Sequence, residues 1–415
     1  MNNIVKPNQN VLMFTNGAGG GHKQSVVAMK QEVDPSAKII EVDILESALG
    51  KTISSRMYRQ WNDAAKNENF KGFGIVLRLQ RIGEAFINIP IFFATLHHLR
   101  KRKIDVVVNP QMVGIKSIVH AVRFHNYLKK KRITAFVQVM TELPNPKATN
   151  FFKPLKNLSN SDRKCCQLAS AIPKLKEGET PKDFWKTHTG FSEKKIIHYT
   201  PVRKVFRELS KVDPSTISKI PINKGSASSL LDQVLQDTPV SFEGDKVEIK
   251  QEDGVYGLML GSQAGFTSTK QYVQNVIEKM KETPNRNHYL FVFCGNNTDK
   301  NSLHQKLSEM ILEYKKEGKM PSNLAVLPLE NQDADCIARV MRRADGTLTR
   351  SGGLTSMELS IIKPQKIFIH TLSDSKDKGM PLWELGNAEN LIANDRAEFI
   401  STTSDDKWIH LFNRP

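Results

Sequence analysis

Short apolar runs followed by glycine turns and helix-like stretches recur along this chain. The clearest are residues 11–15, 255–260 and 347–349, each of which is followed within a few positions by two or more glycines. Uninterrupted apolar runs are typical of parallel strands covered on both faces, and parallel strands need crossover connections that are usually helical. The alternation therefore predicts an α/β protein built from parallel sheets.

The chain divides into three parts by pattern. Its 415 residues, 39% of them hydrophobic, are enough for more than one core. Further strand-like runs occur in both halves, at 38–43, 104–108, 133–139, 195–198, 288–294 and 324–328. Residues 209–253 lose this periodicity and are rich in proline, serine and acidic side chains. We therefore expect a basic N-terminal domain at 1–208, a partly disordered linker at 209–253 and a C-terminal domain at 254–415.

Positive charge is concentrated in the first half of the chain. Residues 1–210 hold 35 Lys and Arg against 16 Asp and Glu, whereas the remainder holds 25 against 27. This asymmetry favours an anionic partner, either a membrane leaflet or a nucleic acid, although a merely solvated basic face fits as well. The basic runs at 100–103 and 129–132 lack the interleaved aromatic residues that stack on bases. A membrane or an acidic protein is therefore preferred, and no nucleic acid is expected.

Targeting signals are not visible in the sequence. The start, MNNIVKPNQN, lacks the apolar core of a signal peptide, and no run of about 18 apolar residues predicts a membrane span. The four cysteines, Cys165, Cys166, Cys294 and Cys336, lack the spacing of a metal site. We expect structural thiols in a reducing compartment, and hence a cytoplasmic protein that is able to bind a membrane peripherally.

The segment 70–98 is the most apolar stretch of the first half. Its aliphatic and phenylalanine side chains are interleaved with Lys71, Arg78 and Arg81, and the basic run 100–103 follows. This pattern suits an interfacial hairpin whose apolar side meets lipid. Two ordinary helices that face a core explain the same pattern, and the residues alone leave both open.

The stretch 347–360 is the strongest candidate for a ligand site. Gly352 and Gly353 let the backbone approach a phosphate closely. Hydroxyl groups stand beside the free N–H groups of the expected helix start, on Ser351, Thr355 and Ser356. Glu358 follows one helical turn later, where its carboxylate is able to take both hydroxyls of a ribose. A tight turn with a capped helix is the alternative.

His22 closes the glycine loop that follows the first strand. At a helix N-terminus the positive potential lowers the pKa of an imidazole, which keeps it neutral and able to accept a proton. His22 is therefore a candidate base, although a lone histidine is more often structural. The loop does not combine G-x-G-x-x-G spacing with an acidic ribose partner, so a dinucleotide site is disfavoured. Asp333 and Asp335 suit the cap of a helix better than a metal site.

Taken in order, these motifs resemble those of the glycosyltransferase group that contains monogalactosyldiacylglycerol synthase, the processive diacylglycerol glucosyltransferases and the peptidoglycan N-acetylglucosaminyltransferase. The resemblance covers nearly the whole chain. It rests on the Gly-Gly-His that ends at His22 and on the segments 199–206, 261–265, 293–297, 349–358 and 383–387. It implies the GT-B fold, in which two Rossmann-like domains with parallel sheets face each other.

The resemblance also implies a UDP-sugar site in the second domain. Glu358 would hold the ribose, and Glu384 and Asn387 would contact the donor sugar. The remaining implied donor-binding residues, most of them around the diphosphate, are Arg203, Ser262, Gly265, Ser351, Gly352, Gly353, Leu354 and Thr355. His22 would act as base or positioning group, with Gly20, Gly21 and Glu142 on the acceptor side. No metal or other cofactor is implied, because helix N-termini and Arg203 are able to neutralise the departing diphosphate.

Departures from the family pattern cluster on the acceptor side. Asn109 stands where lipid-galactosylating members have a histidine, Glu142 replaces an aspartate, and Trp383 replaces a glutamine of the sugar motif. We expect an inverting hexosyltransferase with a lipid acceptor at a membrane surface. A protein or soluble acceptor, a nucleotide-sugar-binding protein without transfer activity, and an epimerase on the same plan stay open.

Overall fold

The computed structural model describes residues 1–402 apart from residues 2, 18–20, 67–69, 130–132, 226–227, 262–263, 283–284, 296–301, 373–379 and 394–396. For residues 149–150 and the remaining ones between 64 and 85, it describes the backbone only. Two six-stranded sheets and one three-stranded sheet form the framework of this part of the chain.

The first sheet is entirely parallel and has the strand order β2-β1-β3-β4-β5-β6. Its strands are β1 Asn10–Thr15, β2 Lys38–Asp43, β3 Val106–Asn109, β4 Ala135–Val139, β5 Cys166–Ser170 and β6 Ile196–His198. Its helices are α1 Gly21–Gln31, α2 Ile44–Leu49, α3 Lys51–Lys66, α4 Phe70–Lys101, α5 Ile115–Lys129, α6 Thr149–Lys156, α7 Asn160–Lys164 and α8 Pro181–Thr189. A further helix, α9 Lys204–Leu209, follows β6 and packs on helices of the second domain.

The second large sheet repeats the plan, with the order β12-β11-β10-β13-β14-β15. Its strands are β10 Gly254–Met259, β11 His288–Phe293, β12 Leu324–Leu329, β13 Gly346–Thr349, β14 Ile367–Thr371 and β15 Ala397–Ser401. Its helices are α11 Phe266–Met280, α12 Leu303–Lys316, α13 Ala334–Arg343, α14 Gly353–Ile362 and α15 Leu382–Ile392. The predicted fold class, α/β with two Rossmann-like domains and parallel sheets, is confirmed.

Both faces of the first sheet are covered, as its apolar strands require. In β1, Leu12 and Phe14 belong to the core beneath α4 and α5, whereas Val11 and Met13 pack with Val26 on the α1 side. This alternation is the period of two that a strand imposes on its side chains. Helices on both faces explain why the strands of the sequence read as continuous apolar runs.

The segment predicted as a hairpin or as two helices is one continuous helix. α4 runs for 32 residues from Phe70 to Lys101 and contains Pro90 without ending there. Its C-terminal part packs Ile91 and Leu99 into the first core while Phe86 stays exposed. Contact along α5 and α2 supports the helix on its inner side, so the proline does not terminate it. No described helix is both long and apolar enough to cross a membrane.

The segment predicted as a partly disordered linker contains regular structure in its described part. Strands β7 Lys219–Pro221, β8 Ser241–Glu243 and β9 Lys246–Glu248 form an antiparallel sheet, and α10 covers Ser228–Leu235. Ile220, Leu231 and Val247 are buried in the core of the second domain. These short elements hide their apolar side chains against a neighbouring sheet, which local composition does not reveal. The domain boundaries at 208 and 254 stay a prediction.

Candidate active site

The predicted phosphate turn lies at the switch point of the second sheet. β13 ends at Thr349, and α14 begins at Gly353 after Gly352, whose backbone is extended (φ −62°, ψ 150°). β10 lies between β11 and β13, so the turn opens where the strand order reverses, which is where ligands of such sheets bind. The Ser356 hydroxyl in the first turns of α14 is buried and has no hydrogen-bond partner among the described residues. The start of α14, with Leu354 and Thr355, thus suits an anion.

Ser351 and Asn387 join this turn to the start of α15. The Ser351 hydroxyl donates to the Glu384 carbonyl oxygen at 2.7 Å, and the Ser351 carbonyl accepts from the Asn387 amide at 2.9 Å. The Arg350 guanidinium holds the Glu384 carboxylate at 2.8 and 3.2 Å. The residues predicted to contact the donor sugar therefore lie directly beside the predicted diphosphate turn.

Arg203 and Glu358 form a buried ion pair. Arg203 precedes α9, and its Nε and Nη2 donate to the two carboxylate oxygens of Glu358 at 2.6 and 2.8 Å. The guanidinium also lies over the Phe206 ring, 4.7 Å from its centroid. Burial raises the pKa of Glu358, and the hydrogen bonds from Arg203 oppose that rise. Glu358, predicted to bind the ribose, and Arg203, predicted to bind the diphosphate, are therefore bound to each other in this structure.

A segment of the first domain, residues 141–147 after β4, packs against the donor candidates. A Cβ atom added to Gly353 would overlap the Thr141 carbonyl oxygen and lie 2.7 Å from Oε2 of Glu142. A Cβ added to Gly386 would lie 2.6 Å from Cγ of Asn145. Glycine at both positions therefore lets the two domains approach closely in this conformation.

Hydrogen bonds fix the same contact. The backbone N–H of Leu143 donates to Oδ1 of Asn387 at 2.9 Å, and the Asn387 amide donates to the Glu142 carboxyl group. Burial raises the pKa of Glu142 to about 8, the Asn387 hydrogen bond opposes this, and the nearby Glu384 charge adds to it. Glu142 is therefore protonated near pH 7. Glu142 was predicted to lie on the acceptor side, and in the structure it contacts Asn387, a residue predicted to bind the donor sugar.

His22 lies on the first-domain side of the cleft. It is the second residue of α1, and its Nδ1 is 3.4 Å from the Thr141 hydroxyl. Burial lowers the pKa of His22 to about 4, and a hydrogen bond to the Pro110 carbonyl opposes the shift. The ring is neutral near pH 7, as the sequence predicted, although burial and not the helix terminus is the main cause.

Uncharged amide side chains line the carboxyl edge of the first sheet near His22. Asn109 at the end of β3 donates to Gln138 at 2.8 Å, Gln138 donates to the Gln111 carbonyl at 2.9 Å, and Asn16 donates to the Gln111 side chain. Nε2 of Gln111 is buried without a partner in the described part of the chain. This edge of the first sheet therefore offers neutral hydrogen-bonding groups, of which the sequence pointed only to Asn109.

Other predicted residues have simpler surroundings. Gly265 is the N-cap of α11, and its carbonyl accepts from the Thr269 hydroxyl at 2.7 Å. Asp333 occupies the N-cap position of α13, but its side chain makes no capping hydrogen bond, and Asp335 pairs with Arg339 at 2.9 Å. Gly20 and Ser262 lie outside the described residues, whereas Gly21 begins α1.

The described cysteine, histidine and carboxylate side chains form no cluster of the kind that binds a metal ion. Cys294 and Cys336 are buried, Cys165 is exposed, and none forms a disulfide. Burial raises the pKa of the Cys294 thiol, as expected of a structural cysteine. Within the described ranges, no three His, Cys, Asp or Glu side chains are placed to hold an ion together.

Sequence reasoning missed the contacts of Asn145, Lys147 and Glu389. Lys147 forms an ion pair with Glu389 across the rim of the cleft at 2.5 Å. The Asn145 side chain accepts a hydrogen bond from the backbone N–H of Lys147 and donates one to the Leu143 carbonyl, both within its own segment. The prolines on either side of Asn145 signal a rigid turn, but no local pattern shows what that turn touches.

Two Rossmann-like domains therefore face each other across a cleft that collects candidate residues from both. This is the GT-B fold.

Comparison with known proteins gives similarity of overall architecture only. No family model matches the chain, and no curated protein does. The MurG of Acinetobacter baumannii is 12% identical, over 98% of this chain and 88% of that one, with a TM-score of 0.44. The glycotransferase of kitacinnamycin is 10% identical over 99% and 92%, with a TM-score of 0.49. A UDP-GlcNAc 2-epimerase from Neisseria meningitidis, bound to UDP-GlcNAc, is 12% identical over 97% and 89%, with a TM-score of 0.46. The GT-B assignment rests on the two sheets themselves.

Proposed function

We propose that this protein is an inverting glycosyltransferase that transfers a hexose from a UDP-sugar to a hydroxyl group of a lipid at an anionic membrane surface. The observation that carries the proposal is the convergence of Glu358, Arg203 and the Gly352–Gly353 turn at the switch point of the second sheet. A nucleoside diphosphate carries a ribose diol next to a diphosphate. A buried carboxylate suits the first, and a guanidinium with a helix N-terminus suits the second.

Transfer also needs stabilisation of the leaving diphosphate. Arg203 and the start of α14 supply positive potential where negative charge develops on the departing UDP. Arg203 is held by Glu358 in this conformation, so it reaches the diphosphate only once that ion pair opens. With the donor bound, Arg203 and the start of α14 would then act in the chemical step as well as in donor binding.

Two groups of the first domain have complementary protonation states. His22 is neutral, so it is able to accept the proton of an acceptor hydroxyl. Glu142 is protonated near pH 7, so it is able to donate a hydrogen bond to a hydroxyl of the donor sugar. Since His22 lies across the cleft from the donor turn, attack from its side suits displacement with inversion.

The membrane part of the proposal rests on an exposed apolar surface of the first domain. Phe86, Ile89 and Phe93 of α4 are 79%, 65% and 62% exposed. Tyr127 and Leu128 of the adjacent α5 are exposed as well. The side chains of Arg100 and Lys101 follow on α4 and line a groove together with Phe93. Apolar side chains next to cations favour the interface of an anionic leaflet.

The proposal is tested by binding and turnover together. Calorimetric titrations with UDP-glucose, UDP-galactose and UDP-N-acetylglucosamine, and with ADP-glucose as control, should show binding of at least one UDP-sugar and weaker binding of ADP-glucose. Release of UDP should rise when anionic vesicles that contain diacylglycerol are added. Binding without release in any condition would favour a nucleotide-sugar-binding protein, and release with soluble acceptors alone would remove the lipid acceptor.

A further inference from the structure

The groups proposed to bind the donor are satisfied by the protein itself in this conformation. Both carboxylate oxygens of Glu358 accept hydrogen bonds from Arg203, and Glu358 is only 2% exposed. Each oxygen keeps a second lone pair, but burial leaves a ribose diol no approach to Glu358 unless Arg203 moves away. Arg203 directly precedes α9, and Phe206 and Leu209 of α9 pack with Met357 of α14, so this displacement needs a rearrangement where the start of α9 meets the second domain.

The sugar end of the site is covered in the same way. The Thr141 carbonyl lies against Gly353, Asn145 lies against Gly386, and Asn387 uses both its oxygen and its amide for protein partners. The space in front of the phosphate turn is therefore filled by residues 141–147. Asn145 braces this segment with hydrogen bonds at 2.8 and 2.9 Å, so the segment covers the turn as one unit.

A third contact lies at the exposed rim of the cleft. Lys147 and Glu389 form an ion pair at 2.5 Å with side chains 36% and 46% exposed. The pair belongs to neither the predicted donor set nor the acceptor set. It therefore offers a way to change the closed conformation without altering a group that is proposed to touch substrate.

We propose that residues 141–147 form a built-in plug of the donor site, so that the two domains must separate before a UDP-sugar binds. The Arg203–Glu358 pair must open as well, and a nucleoside diphosphate offers a replacement for each partner. The ribose diol would donate hydrogen bonds to Glu358, and the diphosphate would pair with Arg203. The protein thus exchanges an internal ion pair for contacts with the donor. This inference rests on the proposed donor site.

A reversible cross-link tests the plug directly. Gly386 and Asn145 are close enough for a disulfide, because an ideal Cβ on Gly386 lies 2.6 Å from Cγ of Asn145. This places the two Cβ atoms about 4 Å apart, within the normal range for a disulfide. The variant N145C/G386C is made with C165S, since Cys165 is the exposed thiol among the natural cysteines. Oxidation is followed by mass spectrometry and UDP binding by calorimetry.

The oxidised form should bind UDP at least 100-fold more weakly than the same protein after reduction. UDP added before oxidation should also slow formation of the cross-link, because it holds the domains apart. Equal UDP affinity of the oxidised and reduced forms overturns the plug and leaves the donor site standing. A cross-link that forms equally fast with saturating UDP overturns it as well.

The rim pair supplies a second test that leaves the site residues untouched. Lys147→Ala should tighten UDP binding about two- to fivefold, because an exposed pair contributes weakly to the closed form. Lys153→Ala is the matched control, since Lys153 is an exposed lysine on the nearby α6. Unchanged or weaker UDP binding by Lys147→Ala contradicts the plug. No UDP binding by the wild type, by Lys147→Ala and by the reduced cross-linking variant overturns the donor site, and the plug with it.

Discussion

At the scale of single residues, Glu358 affects folding and binding at the same time. Glu358→Ala leaves the Arg203 guanidinium buried without its partner, which should lower the free energy of unfolding by about 3–5 kcal/mol. The double variant R203M/E358L fills a similar volume without charge and should recover most of that loss. Thermal unfolding of the two proteins measures the difference.

UDP affinity separates the two roles of Glu358. Both variants should lose about 1.5–3 kcal/mol of UDP binding free energy, because the charge-assisted hydrogen bonds to the ribose are gone. Calorimetry at a temperature where both proteins are folded measures this loss. A stable double variant with wild-type UDP affinity would contradict the ribose assignment and leave Glu358 with a structural role alone.

Glu142 predicts a pH dependence of stability. Its pKa in the folded protein is about 8, above the ordinary value of 4.5, so its contribution to stability is complete at low pH and is lost as pH rises towards 8. The groups that face it are the Glu384 carboxylate, which is held by Arg350, and the Asn387 amide. For wild type, the urea concentration at the midpoint of unfolding should decrease as the pH is raised from 5 to 8.

The variant E142Q should lose most of this slope, because it cannot ionise. E208Q, at an exposed glutamate of α9, should keep it. The same slope in E142Q and wild type would assign the pH dependence to other groups.

His22 should affect turnover and not donor affinity, because it lies in the first domain, across the cleft from the predicted donor turn. His22→Ala should reduce turnover by roughly 10²–10⁴-fold, as expected for loss of a general base. UDP affinity should stay within about threefold, which corresponds to roughly 0.7 kcal/mol. Because burial holds the pKa of His22 near 4, the acidic limb of the wild-type rate profile should lie well below pH 6. Full turnover in the variant would remove the assignment.

At the scale of elements, the exposed apolar side of α4 is the surface proposed to bind a membrane. Replacing Phe86 and Phe93 with serine should weaken sedimentation with anionic vesicles by tenfold or more, because both side chains are exposed and cover no core. Ile172→Ser, at an equally exposed position after β5, is the control. Binding of wild type should fade as salt rises, since surface attraction is screened within about 8–10 Å. Equal sedimentation of the F86S/F93S variant and wild type would exclude this surface.

The elements also show what the sequence was able to predict. Strands β10 and β13, the turn at Gly352 and the helix that carries Glu358 follow from local signals, namely apolar runs and adjacent glycines. The continuity of α4 through Pro90 did not follow, because support from α5 offsets the cost of the proline. The small sheet within 209–253 was missed for a similar reason, since its short strands bury their apolar side chains against the second domain.

At the scale of the whole molecule, the site depends on contacts between residues far apart in sequence. Leu143 and Asn387 are 244 positions apart, and Arg203 and Glu358 are 155 apart. The motifs predicted which residues belong to a donor site, but they did not indicate that segment 141–147 covers it. Long-range packing of two domains determines that feature, and no local propensity encodes it.

The central claim is sugar transfer with inversion from a UDP-sugar. The most direct measurement is proton NMR of the product that forms when the protein is incubated with its preferred α-linked UDP-hexose and diacylglycerol in anionic vesicles. The account predicts a glycolipid whose anomeric proton has the large coupling of a β-linkage, together with one UDP released per sugar transferred. An α-linked product would contradict inversion, and a UDP-hexose recovered as its epimer without any glycolipid would contradict the claim itself.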